Sequence, residues 1–321
     1  MIPGRLDGAL SARIVRCEPL LYTEGASAEL DRPAHVRAAS GIASVDGELV
    51  IVQDDASFIA VRRADGQVDA ITLPAGPGGR RRFESALGNK NDKLDLESAV
   101  EVEIGGAPFV LGIGSGSLPA RERIAIVDVR GRSARLFDAS ALYAQLRADR
   151  EFAGSELNVE GAVIVDGALR LFQRGNGAAR DGIVAVNATC DVPLEGFLRW
   201  IEGGRVPEPT NVRRYDLGTE RGVMYGFTDA TVIRGRVFVV AGAEDSPDVV
   251  QDGEVLGTRI GVIDEDGVRF ATLLDPEGRP SLAKVEGIAP SADPRRLHAV
   301  TDLDDPDAPS LLCEIELAGE W

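Results

Sequence analysis

From residue 40 onward the chain is written in short apolar runs separated by turn pairs. GIASV-DG-ELVIVQ, AVEVEI-GG-APFVLGIG, AVIV-DG-ALRLFQR and TVI-RG-RVFVVAG are four examples, and IAPSADPRRLHAV is a fifth with Ala292-Asp293-Pro294 at the turn. Runs of four to eight residues rich in Val and Ile, joined by Asp-Gly or Gly-Gly, predict β-hairpins, because such pairs supply the positive φ that a two-residue turn needs. After each hairpin comes a polar loop and a third run: FIAVRR, RIAIVDV, GIVAVNA, RIGVIDE, LLCEIEL. The first four units continue into a fourth run: QVDAITLP, SARLFDA, NVRRYDL, VRFATLL. Only Ala139–Ala148 and Pro193–Gly203 read as helices.

The same order of events therefore occurs five times, with starts at Ser40, Glu97, Glu160, Asp229 and Glu286. Four antiparallel strands repeated at a long period predict an all-β chain folded as a five-bladed β-propeller. A six-bladed ring is the alternative if an insertion hides a further sheet. The fifth unit lacks a fourth strand, and Ala12–Tyr22 is an unassigned strand, so the N-terminal strand is expected to complete the last blade. Residues 1–321 then form one domain.

Composition narrows the function. A net charge of −17 argues against nucleic acid and anionic membrane surfaces as partners. No run approaches a membrane span, and the start lacks a signal-peptide pattern, so a cytoplasmic, monomeric protein is expected. Cys17, Cys190 and Cys313 are far apart, with no CxxC spacing. They imply no disulfide framework or zinc cluster, and Cys17 and Cys313, each in an apolar strand, read as buried free thiols. With two histidines in the chain, His-rich metal sites are excluded. A Ser115–His298–Asp302 triad is the less favoured reading beside a structural histidine.

In a propeller the starts of the first strands crowd one rim with the loops after the second strands. That rim holds Ser40, Glu97, Glu160, Asp229 and Glu286 together with Asp54, Asp55, Ser115, Ser117, Arg174, Asn176, Glu244 and Asp302. Converging carboxylates repel one another and call for a counter-charge. It is either a hard divalent cation such as Ca²⁺, which takes six to eight oxygen ligands, or neighbouring bases such as Lys90, Lys93, Arg121, Arg123, Arg174 and Lys284. A metal facing cations would suit a small anionic substrate, with Lys93, Arg123, Ser115, Asp54, Glu244 and Asp302 as its contacts.

The stretches GNKNDKLDLES, GSGSLPARERIAIV, NVEGAVI with LFQRGN, and KVEGI resemble an uncharacterised family of bacterial propellers related to the esterase-like phytase propellers. More distantly they resemble gluconolactonase-type propellers, in which a Glu at a strand start helps to hold a divalent metal. By that resemblance Glu160 and Glu286, which keep the Glu-Gly pair, are metal ligands, with Asn176 and Asp229 completing the set; Glu97 has Ser98 after it instead of Gly. The function expected is metal-assisted hydrolysis of a phosphate ester or lactone. Glu97 and Glu160 would act as ligand or base and Arg174 would hold the anionic group. The rivals are a non-catalytic ligand- or protein-binding propeller and a glycosidase with paired carboxylates. Low aromatic content, 5%, weighs against the last.

Overall fold

The turn pairs do what their chemistry allows: Asp46 and Gly47 adopt φ of 51° and 81°, and Asp166 and Gly167 adopt 51° and 74°, the left-handed region that glycine enters without penalty. Around such turns, a computed structural model describes residues 1–245 and 253–321. Two strands come first, β1 (Ile2–Leu6) and β2 (Ser11–Pro19). The first unit is β3 (Ala39–Val45), β4 (Glu48–Gln53), β5 (Phe58–Arg62) and β6 (Val68–Thr72). The second is β7 (Leu96–Ile104), β8 (Ala107–Gly114), β9 (Arg123–Asp128) and β10 (Ser133–Asp138), followed by helices α1 (Ser140–Ala148) and α2 (Arg150–Ala153). The third is β11 (Val159–Val165), β12 (Ala168–Gln173), β13 (Asn187–Pro193), α3 (Leu194–Ile201) and β14 (Thr210–Asp216). After the two-residue β15 (Thr219–Glu220), the fourth is β16 (Val223–Ile233), β17 (Arg236–Asp245), β18 (Glu254–Asp264) and β19 (Gly267–Leu274). The last is β20 (Lys284–Pro290), β21 (Arg296–Asp302) and β22 (Leu311–Ala318).

Within each unit neighbouring strands pair antiparallel, and β2 pairs antiparallel with β22, with Ile14 opposite Ile315. The chain is thus mostly β, in a propeller-like arrangement. The first strands pack side by side in the order β3, β7, β11, β16, β20, and β20 packs in turn on β3. Strand β1, which the apolar pattern does not reveal, runs parallel between β14 and β19 and stitches the outer edges of the third and fourth units. Core residues sit between units. Leu142, Tyr143 and Leu146 of α1 and Phe197 and Trp200 of α3 extend one such layer, joining Ile113 and Leu171. No helix among the described residues is long and apolar enough to cross a membrane.

Two expectations need correction. The third strand of the third unit is not Gly182–Ala188 but β13, in which Cys190 lies opposite Leu171; Arg180 and Ile183 form a separate turn bridge instead. The cysteines are not all free thiols. Cys17 and Cys313 are directly opposite each other on β2 and β22 and form a disulfide across a sequence separation of 296; Cys190 is free and buried. A cross-link spanning so long a loop restricts the unfolded chain strongly, and we expect Cys313→Ala to lose about 2–4 kcal/mol of unfolding free energy, read as a lower urea midpoint with a steeper slope, because the uncrosslinked denatured chain exposes more surface.

One irregularity recurs. Every first strand carries a β-bulge at its start, where the pairing register skips a single residue: Ser40, Glu97, Glu160, Thr228 and Glu286. A bulge turns the extra side chain away from the ladder, so these five face the same end of the axis. The fourth unit therefore aligns one residue earlier than its acidic residue implies, and Thr228, not Asp229, is the equivalent of Glu160. The residues that follow the bulges, Gly41, Ser98, Gly161, Asp229 and Gly287, form the narrowest layer. A β-carbon at Gly41 would lie 2.7 Å from the Ala99 amide nitrogen and one at Gly287 2.9 Å from the Gly41 Cα, which is why glycine stands there. Asp229, fully buried, spans this layer, accepting from the Ile288 amide at 2.8 Å and the Ser98 hydroxyl at 3.5 Å. Beyond it, the axis continues as a cavity of about 190 Å³ lined by Ala43, Val100, Val163 and Val232 together with Ser44, Glu101 and Thr231.

Candidate functional site in the acidic funnel

The bulge end of the axis is a funnel of alternating charges. On one side Lys93, buried in the loop before β7, donates to Asp54 and lies 2.6 Å from Asp95. Arg121, also buried, donates to Asp95 at 2.9 Å. Burial works against the Lys93 ammonium, but Asp54 and Asp95 outweigh it and its pKa is raised. Burial likewise opposes charge on Asp95, yet Lys93 and Arg121 hold it below the usual carboxylate range. Carboxylate oxygens of Asp54, Asp95 and Glu97 come within 4.8 Å of one another. Glu97 itself makes no hydrogen bond or ion pair among the described residues. Burial, then Asp54, Asp95 and Glu160, push its carboxyl well above the ordinary value.

On the other side, Arg174 at the end of β12 donates to Glu244 at 2.5 Å and lies 3.5 Å from Glu160. Glu160 also accepts from the Asn158 side chain at 2.6 Å. Burial pushes Glu160 up to about 7, with Arg174 pulling down and Glu286, Asp95 and Glu244 pushing up. Burial also raises Glu244, but Arg174 and Lys284 more than offset it and leave it below the ordinary value. Lys284 lies 2.7 Å from Asp304, 3.6 Å from Glu286 and 4.0 Å from Glu244. Asp302, raised by burial to about 7, lines a side cavity of about 310 Å³ with Asp54, Lys93, Arg37 and Phe83.

Glu97, Glu160, Glu286, Asp54, Lys93, Arg174, Glu244 and Asp302 thus sit in or beside the funnel. Others stand apart. Ser115 is buried in the wall and donates to Asp95. Arg123 reaches the Glu122 carbonyl at 2.9 Å and lies 3.4 Å from Asp138 on the next strand. Asn176 accepts from Asn158 at 3.3 Å. Asp229 has both oxygens engaged in the narrow layer below. His298 lies opposite Glu314 between β21 and β22, so Ser115, His298 and Asp302 form no triad. Asp95 and Asn158, which the sequence reading passed over, are central. They occupy the position two before the bulge, as Lys284 does, and the repeated triplets DLE, NVE and KVE carry that signal.

Residues 35–317 match the model of a family of unknown function, DUF6929. The chain belongs to DUF6929. A comparison of this DUF6929 chain with curated proteins finds no match. Among solved structures it is similar to Myxococcus xanthus glutaminyl cyclase (10% identity, 100% of this chain and 99% of that one, TM-score 0.46). It is also similar to a luciferin-regenerating enzyme (10% identity, 89% and 94%, TM-score 0.45). A third is a putative gluconolactonase (9% identity, 98% and 96%, TM-score 0.39). At these levels the likenesses carry no chemistry over to DUF6929, and the site has to be argued from its own residues.

Proposed function

We propose that this DUF6929 chain is a five-bladed propeller, its last blade completed by β2, and that its funnel is the active site of a hydrolase acting on a small ester or lactone. The observation that carries this reading is the pair Glu97 and Glu160. They occupy equivalent bulge positions on adjacent strands, β7 and β11, with opposite surroundings. Glu160 is held by Asn158 and Arg174 and ionises near 7; Glu97 has no hydrogen-bond or ion-pair partner among the described residues, and burial and neighbouring carboxylates push its carboxyl well above the ordinary value. Two carboxyls pushed apart in this way divide into base and acid. Glu160 takes a proton from water as the water oxygen bonds to the carbonyl carbon; Glu97 gives its proton to the departing alkoxide oxygen as the C–O bond breaks. The products are a carboxylic acid and an alcohol, joined in one hydroxy acid when the substrate is a lactone.

A phosphate ester fits less well, because Lys93, Arg174 and Arg123 are already engaged by wall acceptors. A divalent ion held by Asp54, Asp95 and Glu97 is the second reading, favoured by their convergence to within 4.8 Å. It requires Lys93 to leave Asp54 and Asp95, since two cations cannot share those oxygens cheaply. The test is EDTA-treated protein assayed on p-nitrophenyl esters, γ- and δ-lactones, p-nitrophenyl phosphate and p-nitrophenyl glycosides, with and without Ca²⁺, Mg²⁺ or Mn²⁺. Ester or lactone turnover that survives EDTA is expected. Turnover restored only by one ion moves the site to the metal reading. Turnover of phosphate or glycoside alone, or of nothing, overturns the assignment.

A further inference from the structure

The charges on the far side of the funnel form an alternating chain that stops one member short. Glu160, Arg174, Glu244, Lys284 and Glu286 follow one another at 3.5, 2.5, 4.0 and 3.6 Å. Both ends of the chain are carboxylates, at the bulges of β11 and β20 on either side of β16, and Glu286 is among the charges that raise Glu160. Glu286 has a side chain only 8% exposed, and its Oε2 is buried with no hydrogen-bond partner. An orphaned acceptor in such a place is destabilising until a donor arrives. The strand between the two glutamates, β16, presents the small Thr228 at its bulge. The Thr228 hydroxyl donates to the Val285 carbonyl at 2.9 Å and so offers Glu286 no donor.

We propose that the gap between Glu160 and Glu286 receives a primary ammonium group carried by the substrate, so that the ester or lactone hydrolysed here is an amine-bearing one. This rests on the hydrolase reading for the word substrate, and on Glu286 alone for the binding. An ammonium brings three N–H donors, enough to satisfy Glu286 Oε2 and reach Glu160. A divalent ion is the poorer occupant. It needs six or more oxygens, whereas this side already seats Arg174 and Lys284 beside the same carboxylates. The Asp54–Asp95–Glu97 side differs, because Lys93 already fills it from within.

The experiment uses n-butylammonium chloride as probe, with n-butanol as its uncharged counterpart and NaCl as salt control. Melting temperature is followed against concentration, because a ligand bound only by the folded state raises it. A saturable rise with butylammonium and none with butanol or NaCl is expected. Glu286→Gln should weaken that binding at least tenfold while melting, without probe, cooperatively. Glu195→Gln, exposed on α3 far from the funnel, should bind as the parent does and serves as a second folded control. An equal response in Glu286→Gln, no response to butylammonium, or a response to Ca²⁺ that Glu286→Gln alone removes would overturn the proposal. The two readings fail separately: binding without turnover of any ester defeats the hydrolase, and turnover of neutral esters unaffected by butylammonium defeats the ammonium site.

Discussion

Glu160→Gln is expected to lower kcat on the best ester or lactone by about 10²–10⁴-fold, the usual worth of a positioned general base, while the protein keeps its fold. Glutamine retains the shape and can still accept from Asn158, but it cannot take a proton. The pH dependence follows from the same group. Because Glu160 ionises near 7, kcat/KM of the parent should rise tenfold per pH unit below 7 and level off above it. Stability runs the other way. A carboxyl whose pKa is raised by folding contributes stability that is present at low pH and lost as pH rises through the folded value, here between about 4.5 and 7. Removing the charge therefore leaves Glu160→Gln at least as stable as the parent at pH 8. A variant that is inactive and equally or more stable separates chemistry from folding. A variant with full activity would remove Glu160 from the mechanism.

Arg174→Met is expected to have the largest effect on stability, about 3–5 kcal/mol at pH 8, the range seen when one partner of a buried ion pair is removed. Arg174 is buried and lies 3.5 and 2.5 Å from Glu160 and Glu244; among the described residues no other side chain bridges the two. Without it both glutamates face a desolvated pocket as uncompensated charges, and their pKa values rise. The loss should shrink at pH 5.5, where the folded state can protonate them. Urea unfolding at the two pH values measures it. An equal loss at both would mean that Arg174 matters through packing of its aliphatic stem. Arg174 is a positioning residue here, so in this variant the acid limb of the activity profile should also move above pH 7.

Much of this was legible in the amino-acid order. The turn pairs announce the hairpins, and Glu-Gly at residues 160–161 and 286–287 marks two bulges and the close approach beneath them. The fourth unit slipped by one because Asp229-Ala230 imitates an acid followed by a small residue, whereas the register follows Thr228-Asp229. A hydroxyl at Ser40 in the first unit was the clue, since Ser and Thr at bulges serve the next unit's carbonyl, as Ser40 does for Leu96. Asp95 and Asn158 were missed because attention fell on each Glu and not on the polar residue two before it. The disulfide was hidden by its separation of 296, although a strand at Ala12–Tyr22 lying on the last unit already brings Cys17 beside the strand that holds Cys313. Which carboxylates pair with which bases is a matter of ångströms between distant strands. No one-dimensional pattern encodes that.

The Cys17–Cys313 bond also changes how the molecule bears load. The two cysteines sit on neighbouring strands, 296 positions apart in sequence. Tension applied to the two ends of the oxidised chain runs through the sulfurs and bypasses everything between them. Only the parts outside the closed loop, β1 with its pairing to β14 and β19 and the ends of β2 and β22 beyond the cysteines, can be stripped away before the bond is cut. Reduction would then release on the order of 1,000 Å of extended chain. The oxidised protein behaves mechanically as a short chain of three strands, β1, β2 and β22, and the reduced one as a long tether wound through every unit.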